Sequence, residues 1–303
     1  MKTLNMRNAS RLALGLLLGL AGTAPALAGE RVDITKEAPA DGTVSIETMA
    51  GNVKVTGWDR AEIRVEGELD DRAERLDFER DGNFTRIKVV YPRRVKNIDG
   101  SDLSIMVPAA SEVQVDTVAA DVDFSKVSGD ISAETVSGSI NAEGSSREYS
   151  LASVSGSIRL KGTSDDARID LASVSGDIRL SDANGILDAA SVSGDLSVDN
   201  STLRRASMAN TSGDIEFRAK VVDDGDYEFA SISGDVTLTF SSLPTGEFDL
   251  STFSGDIDND FGPEPRRTSR YTPGYELEFK QGEGEAQYTV ETLSGTITLE
   301  LRD

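Results

Sequence analysis

The 303-residue sequence contains no cysteine and no histidine. Without cysteine there are no disulfides, and there is no lipid-carrying Cys to follow an export signal as in a bacterial lipoprotein. Without histidine the usual general base, the usual zinc ligand and every Ser-His or Cys-His nucleophile pair are missing together. Aromatic residues are scarce, at 6%, and no helical period of apolar residues runs anywhere after Ala28. Positive charge is short as well. Against 53 Asp and Glu stand 31 Lys and Arg, for a net charge of −22, a field that repels nucleic acid and anionic lipid and attracts cations or a basic partner.

One long apolar run exists, LALGLLLGLA from Leu12 to Ala21. Lys2, Arg7 and Arg11 precede it and the small-x-small site Ala26-Leu27-Ala28 follows, so residues 1–28 read as a secretory signal peptide. Cleavage before Gly29 removes three cations and no acid, leaving a chain more acidic than −22. The run is shorter than the ~20 residues a spanning helix needs. The sequence therefore predicts export without a membrane span, to the periplasm or cell surface of a bacterium, where a chain without disulfides fits.

What the chain has in abundance is repetition. KVSGDISA, TVSGSINA, SVSGSIRL, SVSGDIRL, SVSGDLSV, NTSGDIEF, SISGDVTL, TFSGDIDN and TLSGTITL align on Gly129, Gly138, Gly156, Gly176, Gly194, Gly213, Gly234, Gly255 and Gly295. The steps are 9, 18, 20, 18, 19, 21, 21 and 40 residues, the last read as two repeats with one motif lost. Apolar residues stand five and seven positions before each glycine (Leu151 and Tyr149, Leu171 and Ile169) and two and four after it (Ile158 and Leu160, Ile178 and Leu180). That is a period of two, the mark of a strand with one buried face, and its phase flips inside the V-S-G segment, which requires a bend. The glycine marks the sharp turn or close approach.

A twenty-residue unit of strand, bend, strand and turn cannot bury its own apolar face, whereas stacked copies make the core continuous. The expected fold is all-β: a single-chain parallel β-helix or solenoid with rungs of about 18–21 residues. An antiparallel β-sandwich is the alternative. Residues 29–118 form an N-terminal β segment that caps the solenoid, and residues 119–303 form the repeats, with an insertion at 262–285. Inside the cap segment, SIETMAGNVKVTGW carries a degenerate motif copy, and Asp81-Gly82 between two alternating runs signals a hairpin.

The order G-N-V-K-V-x-G, then L-S-I-M-V-P, then many S-G-D-I units over Ser45 to Leu301 resembles the bacterial "putative adhesin" domain family. That resemblance implies an exported β-solenoid with an adhesive or scaffold role and offers no catalytic residues to carry over.

Three groups of residues are candidate sites. Asp177, Asp195, Asp214, Asp235 and Asp256 each follow a motif glycine, so successive rungs would stack carboxylates one strand spacing apart, a possible Ca²⁺ column. The other reading is a solvent-facing ladder in which Asp accepts backbone N–H bonds at the bend. Asp256 to Gly262 is a weaker calcium-loop match, with Arg267 where the bidentate Glu belongs. The insertion gathers Arg266, Arg267, Arg270, Tyr271 and Tyr275, a basic-aromatic cluster suited to binding a protein, sugar or carboxylate, or else paired with the rod's own acids. The serine columns, Ser153/Ser173/Ser191/Ser231 and Ser155/Ser175/Ser193/Ser233, read as hydroxyl ladders between rungs.

These features point to a non-enzymatic exported scaffold or adhesin-like protein whose partner is an unknown protein or a surface polymer. The alternatives are an envelope sensor or regulator with one specific protein partner, and a polysaccharide-active β-helix enzyme using carboxylates.

Overall fold

A computed structural model describes residues 29–94, 97–162, 164–269 and 273–302. The expected signal peptide lies outside the described residues. Among those described the chain is all-β, with no helix, and most of its strand pairs are parallel and in register.

Each rung is two short strands meeting at the V-S-G corner. The first strands stack as Tyr149–Ile169–Leu187–Ala206–Tyr227 and the second as Ile140–Ile158–Ile178–Leu196–Ile215–Val236. The period-two residues are the buried ones: Tyr149, Leu151, Ile158 and Leu160 are all at most 2% exposed, and both strand columns contribute to one continuous core. The fold is the solenoid the repeat predicts, not a sandwich of antiparallel hairpins.

The N-terminal segment differs from its expected role as a cap. Thr43–Trp58 is a full rung, pairing in parallel with Glu112–Ser125 through Val44↔Val113 and Val53↔Val122. Beyond it lies an outer rung made of Phe84–Val90 and Ser101–Pro108, paired as Ile46↔Ile87 and Val53↔Leu103. The actual covers are antiparallel strands. Arg75–Asp81 covers one half through the Gly82 hairpin, while Glu62–Glu68 and then Arg31–Glu37 cover the other. The degenerate motif around Gly51 was thus a rung in its own right.

The C-terminal end repeats this plan in reverse. After Phe240 the chain moves to the outermost rung, Gly246–Ser254 with Ile257–Asn259, and returns along the antiparallel strand Tyr275–Gln281. It then inserts Gln287–Ser294 and Ile297–Leu301 between that rung and Val236–Phe240. The 40-residue step is therefore no lost repeat but an excursion: the insertion at 262–285 contains the strand that closes the rod's edge. A stack of four aromatic rings records the order, with Tyr227 to Tyr288 at 5.0 Å, Tyr288 to Phe248 at 4.2 Å and Phe248 to Phe279 at 4.7 Å.

Both outermost strands carry charge, in Arg31, Asp33, Lys36 and Glu37 at one end and Glu276, Glu278 and Lys280 at the other. Charged edges discourage strand addition from another chain.

Candidate functional site

The repeated corner is where sequence, packing and surface meet. A Cβ on Gly156 would lie 1.8 Å from the carbonyl oxygen of Gly138, and one on Gly176 would lie 2.0 Å from that of Gly156. Only glycine lets consecutive corners touch backbone to backbone. The column runs Gly138, Gly156, Gly176, Gly194, Gly213, Gly234, Gly295, Gly255. Gly129 is not in it. It packs on the Ser111 carbonyl at the opposite, inter-rung corner, which explains its nine-residue step to Gly138.

Three residues before the glycine, a buried hydroxyl braces the turn. The N–H of Gly156 donates to Ser153 Oγ at 2.8 Å, and Ser153 Oγ donates to the Gly138 carbonyl at 3.1 Å. Ser173 accepts from Gly176 and Thr135 from Gly138 in the same way. Ser191 and Ser231 hold the position, but among the described residues their buried hydroxyls have no hydrogen-bond partner. Ser155 and its equivalents are on the outside and bond rung to rung through their backbone N–H.

The aspartate column has a structural explanation. Asp177 Oδ1 accepts the backbone N–H of Asp195 (3.2 Å), Asp195 that of Asp214 (3.0 Å), Asp214 that of Asp235 (2.9 Å) and Asp235 that of Thr296 (2.7 Å). Each carboxylate thus satisfies an amide that the bend leaves outside the ladder, which offsets the like-charge stacking. The five are not successive, because Thr296 separates Asp235 from Asp256. Among the described residues no group of three or more acidic side chains is placed to hold a metal ion. In the calcium-loop candidate, Asn259 Oδ1 accepts the Gly262 N–H and Asp260 Oδ2 that of Leu301.

Of the basic-aromatic cluster, Arg270 and Tyr271 lie outside the described residues. Arg266 and Arg267 are exposed and pair in antiparallel register with Glu276 and Tyr275. Arg267 Nε donates to Tyr275 Oη at 3.4 Å and its guanidinium lies 5.6 Å from that ring's centre. The hydrogen bond to Tyr275 is the main cause holding Arg267 above its ordinary pKa.

The corner also carries a feature the sequence reading passed over. Two residues before each glycine of this column, and before Gly51 and Ala120 at the same corner, the side chain points out and is nearly always apolar. In spatial order these are Met49, Val118, Val136, Val154, Val174 and Val192, then Thr211, then Ile232, Leu293 and Phe253. The apolar members are 37% to 61% exposed. The signal lay in the motif itself. With the third residue before the glycine turned inward, the V of V-S-G must face outward, and a large apolar residue there on every rung forms a ridge. Isolated exposed apolar residues are ordinary, but contiguous ones mark interaction surfaces. At its C-terminal end the ridge meets the insertion: Ile232, Leu293, Phe253, Thr268 and Ser269 line an open groove of about 710 Å³.

Comparison with known proteins agrees with this architecture. The family model Toastrack DUF4097 matches residues 41–300. No match was found among curated proteins. Among solved structures, a "Putative lipid binding protein" from Parabacteroides distasonis is 13% identical with a TM-score of 0.51, covering 89% of this chain and 97% of its own. A "putative adhesin" from the same organism (12% identity, TM-score 0.40) and one from Bacteroides fragilis (12%, 0.36) each cover 89% of this chain and 97% of their own. At 13% identity the first of these is a likeness of fold alone.

Proposed function

The chain belongs to the Toastrack DUF4097 family, and on that premise we propose that it is a non-enzymatic, exported, adhesin-like scaffold that binds through the repetitive face of its solenoid. The observation that carries this reading is the exposed apolar ridge along the V-S-G corner, from Met49 to Phe253. A rod stabilised only by its interior needs no large apolar side chain on the outside of nearly every rung. The absence of histidine and cysteine, and the use of the aspartate column to hold backbone amides, support binding over catalysis. The acidic charge and expected signal peptide support a place in the periplasm or on the cell surface.

The test is saturable binding of the labelled protein, from Gly29 onward, to fractions of the bacterial envelope. Binding that is lost when Val154, Val174 and Val192 are all replaced by serine supports the scaffold. Absence of saturable binding, together with release of reducing ends from an envelope polysaccharide, would establish the enzyme reading instead.

A further inference from the structure

We infer that the ridge is the docking surface for a basic amphipathic helix of a protein partner; this rests on the scaffold reading above and specifies its ligand. The argument begins with what flanks the ridge. On one side an outward column of small residues, Ala172, Ala190, Ala209 and Ala230, is stacked in register and leaves a shelf beside the larger side chains. Beyond that shelf runs an acidic column in which Asp170 pairs with Asp188 in register, followed by Ser207 and Glu228. On the other side, three residues along the chain from the ridge, stands the column of Asp177, Asp195, Asp214 and Asp235. The ridge is an apolar strip between two rows of carboxylates.

This arrangement selects its occupant. A second copy of the chain would bring carboxylates against carboxylates, and an anionic membrane would bring phosphates against them. A helix with an apolar stripe rimmed by Lys and Arg is complementary in both respects. The spacing suits it too. Rungs recur every ~4.8 Å and helix turns every ~5.4 Å, so helix residues three and four apart follow the ridge for about four turns before the mismatch reaches half a rung. Thr211, the one polar position, is uncharged and interrupts the strip without repelling such a partner. Arg168 pairs with Asp170 and Arg179 with Asp177, while Arg204, Arg205 and Arg218 are engaged with Asp166, Asp226 and Asp199, so the rim charge left for a partner is that of Asp188 and Glu228 on one side and Asp195, Asp214 and Asp235 on the other.

The probe is a fluorescent four-turn Leu/Lys peptide with one apolar face, titrated by anisotropy into the protein from Gly29 onward. A composition-matched scramble without that face is the control. The amphipathic peptide should bind at least tenfold tighter than the scramble, and the Val154→Ser/Val174→Ser/Val192→Ser variant should lose at least tenfold in affinity while keeping its thermal unfolding temperature. Replacing Asp170→Asn, Asp188→Asn and Glu228→Gln should weaken binding several-fold and flatten its salt dependence. A control substitution at the far end of a second strand, Ser181→Ala, should change nothing. Equal binding of the scramble, or wild-type affinity in the triple-serine variant, overturns the inference. So does a ridge that binds anionic vesicles or drives self-association in sedimentation while ignoring the peptide. Envelope binding that is lost in the triple-serine variant without any peptide binding overturns the helix and leaves the scaffold standing.

Discussion

The middle of the rod and its two ends solve different problems. From Ile131 to Ser212 the rungs follow one another in chain order, each paired to the next, with a glycine at the same corner, a Ser or Thr hydroxyl three residues before it except at Asn210, and an aspartate after it at Asp177, Asp195 and Asp214. At the ends the order breaks. Thr43–Trp58 lies inside a rung formed later in the sequence, and Gln287–Leu301 lies inside one formed earlier. In the middle each rung is its neighbour's template and local repetition suffices. At an end there is no next template, so the chain places a rung outermost, covers it with an antiparallel strand and brings another segment back underneath. Stability in a solenoid is carried by interfaces between neighbours, and this wiring gives Thr43–Trp58 and Gln287–Leu301 an interface on each side.

Removing residues 287–303 tests the difference most severely. Tyr288, Val290, Ile297 and Leu299 are at most 1% exposed, and losing four such side chains costs on the order of 8 kcal/mol. Hydrogen exchange should show amides of 226–240 and 247–259 losing protection while those of 131–181 keep theirs. Loss of protection throughout would mean that the middle has no independence.

Substitution of Gly176 by alanine strikes the middle. With a carbonyl oxygen 2.0 Å from the new Cβ, two rungs must separate, costing ~4 kcal/mol by chemical denaturation. Gly82→Ala in the end hairpin meets nothing within 4 Å and is strained only by its φ of 60°, for ~1 kcal/mol. Equal effects would dismiss the backbone-contact account of the corner.

Asp70 is an end device. Buried at 5% exposure, it accepts N–H bonds from Arg72, Asp99 and Gly100 at 2.7, 2.6 and 2.7 Å, tying the cover to the outer rung. Burial opposes its ionisation, but the three amides outweigh it and lower its pKa below the ordinary 3.8. Since the folded value is the depressed one, the carboxylate stabilises the fold above the ordinary value. That contribution is lost as the pH falls from there through the folded value. Asp70→Asn should cost ~2 kcal/mol at neutral pH and flatten the acid limb of a stability–pH curve; an unchanged acid limb would show that Asp70 is not part of it.

The smallest effect belongs to calcium. With each column carboxylate from Asp177 to Asp235 bonded to the next rung's amide, excess Ca²⁺ against EDTA should move the unfolding temperature by less than ~1 °C. A large rise would restore the metal column, since a ligand specific to the folded state must stabilise it.

This contrast also separates what the sequence discloses from what it hides. The rung length, the buried faces and the corner glycines were legible in the middle because each repeats at a fixed offset, and the Asp81-Gly82 hairpin because turn chemistry is local. The rung order at the ends was not. Parallel pairing of Val236 with Ile297 rather than Ile257 has the same residue pattern either way, and nothing within a repeat says which copy lies beside it. Gly51 was read as a degenerate copy because Ala50 and Asn52 replace the usual Ser and Asp. The ridge is written plainly in V-S-G, beside polar residues that also brace the turn and hold the next rung's amides.

The strand order at the C-terminal end is tested most directly by a cross-link, for which a cysteine-free chain is well suited. Thr237 and Thr298 are register partners on adjacent rungs, and Thr298 in turn partners Asp258. Adjacent rungs place Cα atoms ~4.8 Å apart, within disulfide range, whereas Thr237 and Asp258, two rungs apart, are at ~9.6 Å and beyond it. Oxidation of the Thr237→Cys/Thr298→Cys protein should give an intramolecular disulfide in nearly every molecule, and the Thr237→Cys/Asp258→Cys protein should give none. The opposite result would restore the rungs to chain order and contradict the account of how the rod closes its ends.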